Sequence, residues 1–331
     1  MTDQTPRISR RWLYAPFAIA AIILAGYYLL WRTGAHEMKK AVDAWVIDQR
    51  AAGLEVSHGP VTSKGFPFFL RVRIEAPDIA MPGAWRWRAE TLFLDALPYD
   101  LNRLIISPGG EQLLSAEGFG EWRGAAADLR ASIANDKARG WVFALTVGDA
   151  AGRRDSDGAA YRLTSLVLDL APAPDDPATL TLNLAANGLE ISAGGETYDM
   201  AQLQTVLSLS ASDMLETPTP AASWREANGA LTITHFFADI ETTKIALSGA
   251  IQLDQALYPQ GALKTELQSP AGLANLLGKT GALSQTEASA MAAGLTLMAI
   301  TSGGKITAPI ELKDGAAQIA GVKIADLPRL K

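Results

Sequence analysis

Cysteine is absent from the 331 residues. Its absence removes disulfides, thiolate metal ligands, cysteine nucleophiles and a lipidated cysteine together. Histidine is scarce: His36, His58 and His235 are the only three, and none stands at helical or strand spacing from another, so a histidine metal cluster has no local support. Lysine and arginine form no run beyond the N-terminal segment, and a net charge of −6 with a pI near 5.2 leaves no electrostatic footprint for nucleic acid. There is no Gly-x-Ser-x-Gly elbow, no His-Glu-x-x-His pair and no Asp-rich calcium loop. No catalytic residue, metal ligand or cofactor is therefore assigned, and the chain reads as a non-enzyme. Apolar side chain is what it has in quantity: 48% hydrophobic against 19% charged residues excludes a disordered chain and provides for a core.

Only one apolar run is long. Residues 13–31, LYAPFAIAAIILAGYYLLW, are 19 residues without a charge, from Leu13 through Ile23 to Trp31. As a helix the run is about 28 Å long, close to the roughly 30 Å hydrocarbon core of a bilayer. Arg7, Arg10 and Arg11 precede it, and Trp12, Tyr14, Tyr27, Tyr28 and Trp31 sit near its ends, where aromatic belts collect. This predicts a single-pass protein of a bacterial inner membrane with a cytoplasmic N-terminus and a periplasmic body. Arg32, Lys39 and Lys40 dilute the charge asymmetry, but a long domain translocates largely regardless of them. A cleaved signal peptide is the alternative; its apolar region is ordinarily about 7–15 residues and ends in small residues, whereas this one ends in Tyr-Tyr-Leu-Leu-Trp.

Residues 1–32 are thus read as cytoplasmic tip and anchor. Residues 33–53 are read as a linker helix, with Thr33 as N-cap, Met38, Val42 and Trp45 on one stripe and Gly53 as the stop. Residues 54–331 form the periplasmic β-rich domain. There the period changes to two, first at Leu70, Val72 and Ile74 against Arg71, Arg73 and Glu75, then at Leu166/Leu168/Leu170, Leu180/Leu182/Leu184, Leu207/Leu209, Leu231/Ile233, Ile245/Leu247 and Ile251/Leu253. Within residues 266–300, Ala and Leu dominate and Ser269-Pro270 offers a helix start, so one or two helices are expected over a sheet edge or end. The turn Lys313-Asp314-Gly315 predicts a closing hairpin, and the Pro-rich residues 171–177 form a surface turn or a lobe boundary. The expected fold is mainly β: an elongated, curved, groove-like antiparallel sheet with one or two covering helices.

Three strings imitate chemistry. Residues 272–280, GLANLLGKT, have five residues between the glycines where a phosphate loop needs four. Residues 118–124 miss dinucleotide spacing by one and read as a loop glycine cluster. Asp175 and Asp176 are adjacent and point apart, unlike carboxylates flanking a substrate. More informative is Gly65-Phe66-Pro67-Phe68-Phe69, which makes either an aromatic plug of the core or a lipid- or partner-facing lip. Trp85 and Trp87 alternate with Arg86 and Arg88, placing the two indoles on one sheet face. Phe66, Phe68, Phe69, Trp85, Trp87, Leu182 and Leu184 are the candidate lining of an apolar face, which sequence leaves as either an open groove or a closed core.

The anchor, the string Lys64-Gly65-Phe66-Pro67-Phe68 with Leu70-Arg71-Val72-Arg73 and Ala76-Pro77, and the ending Ala325-Asp326-Leu327-Pro328 resemble the DUF2125 family of alphaproteobacterial envelope proteins over nearly the whole length. These motifs describe turns, so no catalytic residue is carried over. One membrane helix followed by repeated strands is more loosely similar to AsmA-like envelope proteins, which implies a long curved sheet with an apolar concave face. The functional expectation is a lipid-binding or lipid-conveying role in envelope homeostasis, with phospholipid as ligand. A scaffold for another envelope protein is the second reading, and a hydrolase with a dispersed site the third.

Overall fold

The structure is a computed structural model that describes residues 11–98, 100–279, 283–301, 305–319 and 322–330. Arg7, Arg10, Thr280 and Lys331 lie outside the described residues. Hydrogen-bonded neighbours link 17 strands into one antiparallel sheet, and the chain divides into two compact units, Met1–Gly109 and Gly110–Lys331.

In the first unit the anchor and the expected linker are one helix, α1 (Arg11–Ala51), 41 residues long. Thr33 does not cap a second helix. It stands inside α1, where its hydroxyl donates to the Leu29 carbonyl at 2.9 Å, and the following Gly34 is a point of close approach, since a Cβ there would lie 2.9 Å from Leu70 Cδ1. The C-terminus follows the expectation. Gly53 takes φ +92°, its N–H reaches the Arg50 carbonyl, and the Leu54 N–H reaches that of Gln49, so the last carbonyls are satisfied in a Schellman arrangement. Beyond the apolar run, Trp31, Ala35, Met38, Val42 and Val46 form the packing stripe. Trp45, expected on that stripe, is instead 44% exposed, because Val46 holds the inward position one residue on.

That stripe covers one face of a small sheet made of β1 (Glu55–Ser57), β2 (Val61–Lys64), β3 (Leu70–Glu75), β4 (Asp78–Met81) and β5 (Trp85–Leu97). In β3 the sequence alternation becomes burial: Leu70, Val72 and Ile74 are buried under α1, while Arg71 and Arg73 point the other way. β5 pairs with β4 near its start and with β3 near its end, and β4 also pairs with β1.

Strand β6 (Asp100–Ala116) contains the division between the units. The second unit continues as a meander: β7 (Gly120–Asp136), β8 (Gly140–Arg154), β9 (Ala160–Ala173), β10 (Asp176–Ala193) and β11 (Glu196–Leu209), then β12 (Leu231–Ile240), β13 (Thr243–Leu253) and β14 (Pro259–Gln268). The helix α2 (Pro220–Glu226) interrupts it after β11. Residues 171–177 form the tip of the β9–β10 hairpin, with Pro172 opposite Leu180 and the Asp176 carboxylate accepting from the Ala178 N–H and the Thr179 hydroxyl. The helical region is α3 (Pro270–Lys279) and α4 (Gln285–Thr301), while residues 266–268 still belong to β14. The closing hairpin has one strand more than expected: β15 (Lys305–Lys313), β16 (Ala316–Ile319) and β17 (Val322–Asp326) form a three-strand meander. Asp314 and Gly315 make its first turn with φ +52° and +72°, the pair of positive values that tight hairpins use.

Strands β8 to β10 are too long to keep one apolar phase. Leu170, Leu168 and Leu166 alternate along β9, but the next apolar residue is Leu163; in β10 Ala186 is followed by Leu189, and in β8 Val147 by Ala150. Each change falls where Asp149 and Gly188 adopt φ +46° and +62° and the cross-strand neighbours Ser165 and Asn187 are hydrogen bonded. A left-handed residue re-phases β8 and β10, and β9 between them follows in register.

Candidate functional site

In the second unit the strand register aligns apolar side chains into rows. Ile133, Phe143, Leu170, Leu182, Leu207 and Ile233 are successive cross-strand partners from β7 to β12. The next row runs Ala131, Leu145, Leu168, Leu184, Thr205 and Phe236, and the third Leu129, Val147, Leu166, Ala186, Leu203 and Ala238. No row contains an ionisable group, whereas the alternate face presents exposed Asp169, Asn183 and His235. Six strands at about 4.8 Å spacing and three rows about 7 Å apart make an apolar area on the order of 300 Å² or more, the size at which a patch marks a binding surface.

How that face is covered changes along the sheet. The third row continues through Ile245, Leu267 and Ile306. Leu267 and Ile306 are buried beneath Ala299 of α4, with Leu273 and Leu295 packed alongside. Gly272 permits this seat: a Cβ there would lie 2.2 Å from the Thr243 hydroxyl, which itself donates to the Ser269 carbonyl at 3.0 Å. The string that imitates a phosphate loop is therefore the packing face of α3. Trp224 of α2 likewise covers Leu209, Leu231 and Leu253, and its indole N–H donates to the Ser210 carbonyl at 2.7 Å.

Among the described residues no helix does this over β7 to β10. Phe143, Leu145, Leu168, Leu170, Leu182, Leu184 and Leu207 are all half-buried, and among the described residues of β7 to β10 only the small Ala150 and Ala186 are buried. An uncovered sheet face explains both facts, since a Leu in a single layer is shielded by its row neighbours but not from above. Leu182 and Leu184 thus stand half-buried in these rows, between partners on β9 and β11.

The other candidate residues lie in the first unit. Trp85 and Trp87 are half-buried on β5, opposite Met81 and Ile79, with Arg86 and Arg88 exposed between them. Arg86 forms a two-pronged pair with Asp78, whose carboxyl it holds below its ordinary range. Phe66 packs against α1 through Tyr27, Tyr28 and Trp31, with ring centroids 6.1, 5.3 and 5.7 Å away. Phe69 faces the Arg71 guanidinium at 5.0 Å. Phe68 points away and is 77% exposed. Within the string Phe66 therefore packs on the helix aromatics while Phe68 stands exposed.

One cluster escaped sequence reading. Residues 118–124 are not a loop: the turn is short, and Gly124 lies within β7, where the Tyr161 ring rests over it and over Gly152. Trp122 lies nearby with its ring tilted against Tyr161, centroids 5.7 Å apart, and Arg154 sits over it at 5.1 Å. Arg154 pairs in turn with Asp157 and lowers that carboxyl to about 2, while burial raises the Tyr161 hydroxyl. Two glycines and a tyrosine two strands away leave no local pattern, but the register Gly124–Gly152–Tyr161 explains them. Among the described residues no three His, Asp or Glu side chains converge on a metal position.

No curated protein and no solved structure matches the chain. A family described as an uncharacterized protein conserved in bacteria matches residues 31–328, from the last residue of the apolar run to the tail after β17. The chain therefore belongs to the DUF2125 family.

Proposed function

We propose that the chain is a non-enzymatic protein anchored by α1 in a bacterial inner membrane, with its β-rich body in the periplasm, that binds or conveys lipid acyl chains on the apolar face of β7 to β12, which no described helix covers over β7 to β10. The observation that carries this reading is the continuity of the rows: the face that α2, α3 and α4 cover from the end of β11 to β15 extends, uncharged, across β7 to β10, over which no described helix lies. Apolar surface of that extent is stabilised by an apolar guest. The helix from Tyr14 to Ala51 contains a segment long and apolar enough to cross a bilayer, which supplies both the membrane and a source of lipid.

The test contrasts the two faces. Replacing Leu182 and Leu184 together by Asp is expected to abolish phospholipid co-purification, while the same change at the outward Thr181 and Asn183 leaves it intact, with circular dichroism showing both variants folded. Unfolding of the first variant would indicate a closed core, since two buried unpaired carboxylates exceed what a marginally stable domain absorbs. A folded variant that retains its lipid would leave partner binding as the better reading. A reporter active only outside the cytoplasm, fused after Lys331, is expected to be active; activity of a cytoplasm-only reporter there would reverse the orientation.

A further inference from the structure

Residues 65–69 are fastened to α1 at the last turns of its apolar run. The Tyr27 hydroxyl donates to the Pro67 carbonyl, and the Trp31 indole donates to the Phe69 carbonyl at 2.8 Å. Phe66 fills the space against the three helix aromatics. Both anchoring side chains belong to the uncharged run, whose end is marked by Arg32. Tyr27 lies five residues before Arg32, so the Pro67 carbonyl is held about 7 Å to the membrane side of the first charge at 1.5 Å rise per residue. A loop tied at that level cannot lie in bulk water if the run spans the bilayer.

On this basis we infer that Phe68 is a second membrane contact: its ring inserts among the phospholipid acyl chains of the leaflet on the body's side. Three observations support a lipid occupant. Phe68 is 77% exposed, although its neighbours Phe66 and Phe69 both have partners. The adjoining helix surface is also exposed and apolar, with Leu24 at 62% and Leu30 at 55%. Lys64, exposed at the end of β2 just before the loop, and Arg32, exposed just after the run, supply cations at the level where lipid phosphates lie. An aromatic ring with flanking cations is the side-chain set that settles at the bilayer interface. The inference rests on the anchor of the proposed function. It adds a fixed contact between the body and the leaflet, which restrains the first unit at the lipid surface.

The absence of cysteine makes the test direct. Phe68→Cys, Ile23→Cys and Trp45→Cys, each in the full chain, are labelled with an environment-sensitive fluorophore and reconstituted in phosphatidylethanolamine and phosphatidylglycerol vesicles carrying spin-labelled lipid. The expected result is a blue-shifted label at position 68 that loses emission to shallow spin-labelled lipid and resists aqueous iodide. Position 23 should lose emission to deep spin-labelled lipid, and position 45 to iodide. Quenching of position 68 by iodide, with position 23 still protected, would overturn the inference and leave the anchor standing. Quenching of positions 23 and 68 alike by iodide would overturn the anchor itself.

Discussion

The Trp31 indole donates a 2.8 Å hydrogen bond to the carbonyl of Phe69, joining the end of the apolar run to the residue before β3. Trp31 is 8% exposed and packs with Ala35 on Leu70. Trp31→Ala is expected to destabilise the first unit by about 3–5 kcal/mol, the usual range for truncating a buried aromatic. Trp31→Phe keeps most of the apolar area and loses the hydrogen bond, a change of about 1 kcal/mol. Urea unfolding of the detergent-solubilised chain measures both; equal losses would mean that the bond, not the packing, holds the helix.

A second prediction separates the backbone cost of a left-handed residue from the cost of crowding. Gly158 takes φ +72° with nothing near its missing Cβ, whereas at Gly188, with φ +62°, a Cβ would lie 2.4 Å from the Thr164 hydroxyl. Gly158→Ala is expected to cost about 1–2 kcal/mol, the left-handed penalty alone. Gly188→Ala adds an overpacking cost of about 1–3 kcal/mol, part of which Thr164→Ala should restore. Identical unfolding curves for the two single variants would show that crowding against Thr164 adds no cost at Gly188.

The alternation of Leu70, Val72 and Ile74 was legible because a half-buried strand writes its burial with period two. The apolar run and the Gly53 stop were legible for similarly local reasons. Thr33-Gly34 misled because a helix N-cap and a helix–strand contact both favour small or hydroxylated residues, and only the proximity of Leu70 distinguishes them. The long strands β7 and β8 left a weak signal, being rich in Ala and Gly, with β8 re-phased at Asp149. Leu182 and Leu184 were identifiable as inward residues, but whether anything lay above them depends on the reach of α2, α3 and α4 along the sheet, which no local pattern records.

Acid should loosen the cluster around Trp122. The folded Asp157 carboxyl, near 2 because Arg154 and the Ala159 N–H bind its charged form, lies below an unfolded value of about 3.9. Its contribution is therefore complete above about pH 4 and is lost as pH falls towards about 2. An NMR titration should place the Asp157 midpoint near 2 and shift it upward in Arg154→Gln. An unmoved midpoint would remove Arg154 as the cause.

Leu70 and Leu182 provide a stability contrast, being respectively 1% exposed beneath α1 and half-buried on the open face. Leu70→Ala should cost about 2–5 kcal/mol, as for a filled core. Leu182→Ala should cost only about 1 kcal/mol, since roughly half of its burial is lost. A Leu182→Ala loss equal to that of Leu70→Ala would mean that something covers the sheet.

The most direct measurement is lipid photocrosslinking on the full-length protein in its membrane. Phospholipid with a photoactivatable group in the acyl chain is incorporated, and the crosslinked peptides are identified by mass spectrometry. The result expected is modification on β8 to β11 at inward residues such as Leu145, Leu168, Leu182 and Leu184, in addition to α1, and its loss when Leu182 and Leu184 are replaced by Asp in a folded variant. Crosslinks confined to α1 and residues 65–69, with none on β8 to β11, would contradict acyl-chain binding on the open face.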